Sequence, residues 1–250
     1  MPQRTVIATV RAEETAEGAG ARVKRAIPSA ELGVLDPFVL LDEFMVGAGA
    51  GFPEHPHRGF EIITYVLEGG FGHKDSLGND SMVGAGGLQK INTGRGLYHS
   101  EMPAQAGRSS GLQLWINLAR DLKGLEPEYQ GVPAAQIPET SGDGWRQRTI
   151  VGPDSPVTLH TPVLYLDATV EPGGDWHTDV PDDFRAFVYV LHGAGRFGND
   201  GQVGRGGQLL ALGPGDSFGA QAAGQEPVRF AFIAGRPHNE PIRMRGPYVD

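Results

Sequence analysis

The chain is a succession of short apolar runs separated by glycine and proline turns. Phe60 to Leu67 and Leu112 to Leu118 are typical runs, rich in Val, Ile, Leu, Tyr and Phe. Their length, their β-branched and aromatic content, and their Gly, Asn-Asp or Pro boundaries predict strands. Helical spacing is scarce, and Pro103 to Arg108 reads as loop. No apolar stretch approaches the length of a bilayer-spanning helix. The pattern predicts an all-β protein of jelly-roll-like barrels, an architecture that protects sheet edges. Barrels of this size can hold one small ligand in the mouth.

The pattern also repeats once. Tyr65-Val66-Leu67-Glu68-Gly69-Gly70 recurs as Tyr189-Val190-Leu191-His192-Gly193-Ala194. Asn79-Asp80 with Val83-Gly84-Ala85-Gly86-Gly87 recurs as Asn199-Asp200 with Val203-Gly204-Arg205-Gly206-Gly207. Gly94-Arg95-Gly96 has its counterpart in Gly213-Pro214-Gly215. The offset falls from 124 to 120 to 119 residues, as it must where turns differ in length. Three matches in one order predict two β domains in tandem. Pro133, Pro138, Ser141, Gly142 and Gly144 cluster at the join, so the domains are expected at 1–135 and 136–250.

Composition narrows the function. Glycine (38) and proline (19) are abundant among 250 residues, but they punctuate apolar runs rather than form a disordered tract. The net charge of −9, with no basic patch, argues against direct nucleic-acid binding. It suits docking on a basic protein. Cysteine is absent, which excludes disulfides, zinc fingers and thiol catalysis. Any metal must therefore be held by His, Asp or Glu. The opening residues lack the apolar core of a signal peptide, and a cytoplasmic protein with no membrane partner is expected.

Four residues then stand out. His55 and His57 precede the run Phe60 to Leu67, and His99 and Glu101 follow the turn Gly94-Arg95-Gly96. In extended chain, positions i and i+2 share a face. Two such pairs on neighbouring strands put three imidazoles and a carboxylate around one point. That set suits Fe, Mn, Ni, Cu or Zn rather than Mg or Ca. Open coordination positions would make the centre catalytic rather than structural. Glu61, four residues beyond His57, shares its strand parity and can also face inward. His73, His160, His177, His192 and His238 occur singly and read as surface or hydrogen-bonded histidines.

The segment Gly49 to Gly69 (glycine, five residues, His-x-His, three residues, Glu61, seven residues, glycine) resembles the first signature of the cupin superfamily. Gly96-Leu97-Tyr98-His99 is similar to the end of the second. The closest resemblance is to the pirin family of bicupins. It is carried by Asp36 to Phe44, Gly51 to Glu61, Gly94 to Pro103, Gly111 to Leu118, Thr161 to Asp167 and Gly246-Pro247-Tyr248-Val249. The resemblance implies two tandem cupin barrels, with one non-haem iron(II) held by His55, His57, His99 and Glu101 in the first. Mn, Cu, Ni or Zn fit the same donors. Many other cupins use the first-signature glutamate, here Glu61. The pirin pattern selects Glu101 and leaves Glu61, Gln113 and Phe52 as supporting or pocket residues. The second repeat puts Asp179 and Pro181 at the places of His55 and His57. It puts Phe218 and Ala220 at those of His99 and Glu101, so that barrel is expected to hold no metal. Pirins usually continue past the Gly246-Pro247-Tyr248-Val249 motif into a helical segment, whereas this chain stops at Asp250.

Two functions follow from the resemblance. The first is a quercetin 2,3-dioxygenase-like oxidoreductase acting on a flavonol and dioxygen, with Glu101 accepting the substrate's hydroxyl proton. The second is a redox-responsive metal-binding regulator that docks on a protein partner, either a transcription component or a metabolic enzyme. Metal loading and flavonol turnover separate them.

Overall fold

The computed structural model describes residues 2–104 and 107–250. Strands dominate, and two short 3-10 turns, Arg120–Leu122 and Ala134–Gln136, are the helical elements among the described residues. Pro103 ends a strand rather than opening a loop; of the segment expected as loop, Gln105 and Ala106 lie outside the described residues.

The chain divides into two compact units, the first of residues 13–137, 159–161 and 238–250, the second of residues 2–12, 138–158 and 162–237. This corrects the expected boundaries of 1–135 and 136–250 at both ends. The amino-terminal strand Val6–Arg11 is an edge strand of the second unit, paired antiparallel with Gln208–Leu212. Arg4 is buried there and donates to the carbonyl oxygens of Gly213 and Pro181, at 3.1 and 2.8 Å. The carboxy-terminal segment belongs to the first unit. Val249 is buried among Phe60, Leu97 and Trp115, its N–H donates to the Arg58 carbonyl, and its own carbonyl accepts from Lys123 Nζ.

The two units share one plan. In the first, a seven-stranded sheet runs Glu128–Val132, Leu88–Asn92, Phe60–Glu68, Ser109–Asn117, Phe38–Val46, Ala21–Ile27, Glu13–Glu17. A four-stranded sheet runs Phe52–His57, Leu97–Pro103, Gly70–Asp75, Asp80–Gly84. In the second unit, the seven strands are Val6–Arg11, Gln208–Leu212, Arg185–His192, Val228–Gly235, Val163–Val170, Trp145–Val151, Glu139–Gly142. Its four are Trp176–Asp179, Ser217–Ala222, Ala194–Phe197, Gln202–Arg205. Tyr65 and Tyr189 fall in equivalent strands, as the sequence repeat requires.

The interiors differ. The second unit is closed by Trp176, Phe197, Phe218, Phe230 and Phe232 in one apolar cluster, with no room for a polar centre at that place. Its strand register sets Phe218 opposite Thr178 and Ala220 opposite Trp176. Thr178 rather than Asp179 thus stands where the first unit has His55. The first unit instead buries His57, His73, His99 and Glu101, each at most 3% exposed.

Candidate metal centre

His55 and His57 end the strand Phe52–His57, and their partner strand Leu97–Pro103 sets His99 directly opposite His55 and Leu97 opposite His57. The ladder therefore brings His55, His57 and His99 together, while Glu101 falls opposite Phe52 and stands outside that group. One ring nitrogen from each of His55, His57 and His99 lies within 4.8 Å of the others. Phe60 and Trp115 stack at 4.2 Å between centroids, and the His57 ring sets its edge against both, at 5.2 and 4.8 Å.

The proton positions on these rings follow from their outer partners. His55 Nδ1 is 2.7 Å from the carbonyl oxygen of Pro53, and His57 Nδ1 is 3.3 Å from that of Pro247. A carbonyl only accepts, so each Nδ1 carries the hydrogen and each Nε2 is a bare lone pair. Those two Nε2 atoms stand 2.9 Å apart. Nε2 of His99 is buried with no hydrogen-bond partner among the described residues. Facing lone pairs and an orphaned buried nitrogen are costly without an electrophile between them. A soft-to-borderline metal cation fits these donors, and metal ligation by neutral imidazole is the chemistry they offer. Burial, with the neighbouring His55, pushes His57 down to about 3, and burial with His57 and His55 lowers His99 further. Both rings are thus neutral at physiological pH, as metal binding requires.

Glu101 lies two residues on, after a bulge in the ladder. Its carboxylate accepts from Thr64 Oγ1 at 3.0 Å and from Gln113 Nε2 at 2.8 Å. Trp115 Nε1 donates to Gln113 Oε1 at 3.0 Å, which turns the amide so that its nitrogen faces Glu101. Burial raises Glu101 to about 7 against those two hydrogen bonds. The cluster opens into a cavity of about 580 Å³, within the range of small-molecule sites. His55, His57, Glu101, Gln113 and Phe52 all line it, with Leu40, Phe44, Trp115 and Met244 as further apolar wall. Arg25 reaches the same cavity, held by Asp42 at 2.9 and 2.7 Å.

Glu61 does not join them. Parity counting from His57 fails because the strand ends at His57 and a new one begins at Phe60, with Gly59 at φ +91° between them. A side chain at Gly59 would meet the Val249 carbonyl oxygen, so the turn is reserved for glycine. The count restarts there: Phe60 and Thr64 face the centre, and Glu61 faces away. Its carboxylate accepts the backbone N–H of His160 twice, at 3.1 Å, and that of Thr161 at 3.3 Å. Burial nonetheless raises Glu61 to about 7. A carboxyl whose folded value exceeds its unfolded one favours folding most below the unfolded value, and that contribution is lost as pH climbs from about 4.5 through 7. Urea unfolding across this window should show wild type losing about 3 kcal/mol relative to Glu61→Gln. Parallel pH profiles for the two proteins would contradict it.

Thr64, Trp115 and Asp75 join the site without having been expected there, and the hydrogen-bonded role read for His73 acquires a named partner; for Trp115, His73 and Asp75 the spacing carries a signal. Gln113 and Trp115 are an i,i+2 pair in the strand Ser109–Asn117, and His73 and Asp75 are another in Gly70–Asp75. His177, in the second unit, is exposed and pairs with Asp175 at 3.0 Å. No helix among the described residues is long and apolar enough to cross a membrane.

Comparison with known proteins agrees with this geometry. The Pirin family profile matches residues 20–116, and that of the Pirin C-terminal cupin domain matches residues 165–250. A pirin-like protein of Solanum lycopersicum is 43% identical, the match spanning 98% of this chain and 86% of that one. Pirin of Homo sapiens is 41% identical over 98% and 87%. The solved structure of a quercetin 2,3-dioxygenase from Acinetobacter baumannii superposes with a TM-score of 0.90 at 29% identity, covering 98% of this chain and 91% of that one. With two all-β barrels, a histidine cluster in the first alone among the described residues and matches along nearly its whole length, the chain belongs to the pirin family of bicupins.

Proposed function

We propose that the first barrel is a metal-dependent dioxygenase site for a flavonol-like substrate. The observation that carries this reading is the convergence of His55, His57 and His99, with Nε2 of the first two facing each other and the buried Nε2 of the third unpartnered among the described residues, beside a largely apolar cavity. The likeness to a quercetin 2,3-dioxygenase supports the substrate class. His55, His57, His99 and Glu101 would hold one transition-metal ion, iron(II) by preference among several metals these donors accept. When bound, the ion supplies a Lewis-acidic position for a substrate oxygen and an open one for dioxygen.

The chain's own residues do the rest. Glu101 is the carboxylate at the cavity wall that would accept a substrate's hydroxyl proton. Gln113, locked by Trp115, and Thr64 hold that carboxylate in place. Phe44, Phe52 and Leu40 offer flat apolar wall to an aromatic ligand and exclude water from it.

The test is quercetin consumption under air by metal-loaded protein, followed by loss of the flavonol absorbance. His57→Ala and removal of oxygen should each abolish it. Stoichiometric metal with no turnover of any flavonol tested would overturn the enzyme reading and favour a metal-responsive binding protein.

A further inference from the structure

His99 has a fourth histidine for a neighbour. Nδ1 of His73 stands 3.5 Å from Nδ1 of His99, and the His73 ring lies flat on Tyr129, 4.0 Å between centroids and 8° between planes. The other nitrogen of His73 is 2.9 Å from Asp75 Oδ2, and neither side chain has any exposure. Asp75 closes a tight turn as well. Its Oδ1 accepts the backbone N–H groups of Leu77 and Asn79, at 2.9 and 3.0 Å, and its Oδ2 accepts the Asn79 side-chain amide at 2.8 Å.

An ionised carboxylate can only accept hydrogen bonds. Burial pushes Asp75 up, but its hydrogen bonds from His73, Asn79 and Leu77 outweigh that and hold it below the usual carboxylate range. His73 must then carry its hydrogen on Nε2, leaving a lone pair on Nδ1. Two lone pairs cannot meet favourably, so the hydrogen of His99 sits on Nδ1. His99 Nε2 is left bare, and that is the buried nitrogen without a partner. The geometry assigns Asp75, acting through His73, as the positioning residue that sets the tautomer of His99 and keeps its Nε2 free for a metal ion. The assignment rests on the metal-binding reading given above. His55 and His57 take their orientation from backbone carbonyls; His99 takes it from a side-chain relay. In the second barrel the strand register puts Phe197 where His73 stands and Phe218 where His99 stands, so there relay and ligand are missing together.

Replacing Asp75 by asparagine should invert the relay. The backbone donors of Leu77 and Asn79 require an acceptor at Oδ1, so the new amide turns its NH2 toward His73. His73 then accepts at Nε2 and donates from Nδ1, and the His99 hydrogen is driven to Nε2, where it blocks ligation.

Two measurements on the full-length protein test this. Ring-nitrogen NMR of metal-free, 15N-histidine-labelled protein, with His99 assigned by its loss in His99→Ala, should show Nε2 unprotonated in wild type and protonated in Asp75→Asn. Titration with Co2+ should show Asp75→Asn binding about ten- to a hundredfold more weakly, the range for losing a group that orients a ligand. In a His73→Phe background, which keeps the stack on Tyr129, adding Asp75→Asn should change Co2+ affinity no further; a role confined to the turn would add its cost in either background. A hydrogen on His99 Nε2 in wild type, or an unchanged tautomer and affinity in Asp75→Asn, overturns the proposal. The wild-type spectrum decides it even if Asp75→Asn does not fold. Wild type binding Co2+ no more tightly than His99→Ala would instead overturn the metal reading, leaving the tautomer to report on Asp75 separately.

Discussion

Replacing His99 by alanine is expected to leave a folded barrel that neither retains a metal nor consumes quercetin. His99 is 1% exposed, and its Nε2 has no hydrogen-bond partner among the described residues. Its removal therefore deletes a donor without breaking a hydrogen bond made by that atom. Metal affinity should fall more than a hundredfold, beyond the range seen when only an orienting group is lost. A second readout needs no substrate. A metal that binds the native state stabilises it by about 2.7 kcal/mol at one hundred times its Kd, so wild type should melt higher as metal is added. His99→Ala should melt at one temperature with or without metal. His177→Ala, on an exposed strand of the aromatic-filled barrel, should behave as wild type in both assays. Metal loss in His177→Ala with retention in His99→Ala would show that the wrong barrel was chosen.

Phe60→Ala is expected to carry the largest stability cost, about 3–5 kcal/mol for truncating a buried aromatic. Phe60 has no exposure, stacks on Trp115 at 4.2 Å and packs with Ile62, Leu97 and Val249. It also supports the ring of His57. The substitution removes the floor of the site together with the seat of the carboxy-terminal strand. Urea unfolding should show the loss, and metal titration should show weaker binding even under conditions where the variant stays folded. A cost near 1 kcal/mol would mean that the surrounding side chains collapse into the gap, which the close Phe60–Trp115 stack argues against.

Much of the barrel plan is legible in the residues. Runs such as Phe60 to Leu67 became strands because their short length and their β-branched and aromatic content leave little else for them to do. The repeat of Tyr65 in Tyr189 anticipated two β domains, and the structure builds both on one strand order. His55 with His57 and His99 with Glu101 shared faces because i,i+2 geometry is local. Parity counted onward from His57 would turn Glu61 inward as well, but parity is local too, and it survives only while the strand is unbroken. Gly59 breaks it. His73 is hydrogen-bonded, as a single histidine is expected to be, and its partner is the i,i+2 neighbour Asp75 on the same strand.

The sequence by itself determined the all-β class, the tandem repeat, the absence of thiol chemistry, and the two pairs of residues that face one interior. Each depends on side-chain identity or on spacing within a single strand, and both are written in the chain. The tertiary structure alone decided that residues 2–12 complete the second barrel and residues 238–250 the first. Edge pairing and the Val249 anchor run through backbone N–H and C=O groups, which every residue but proline carries alike and which therefore encode no partner. It also decided the tautomers. The carbonyls of Pro53 and Pro247 and the carboxylate of Asp75 place the ring hydrogens, and their positions follow from the path of the folded chain. A sequence can supply three histidines; only their buried neighbours determine which nitrogen of each is free to bind.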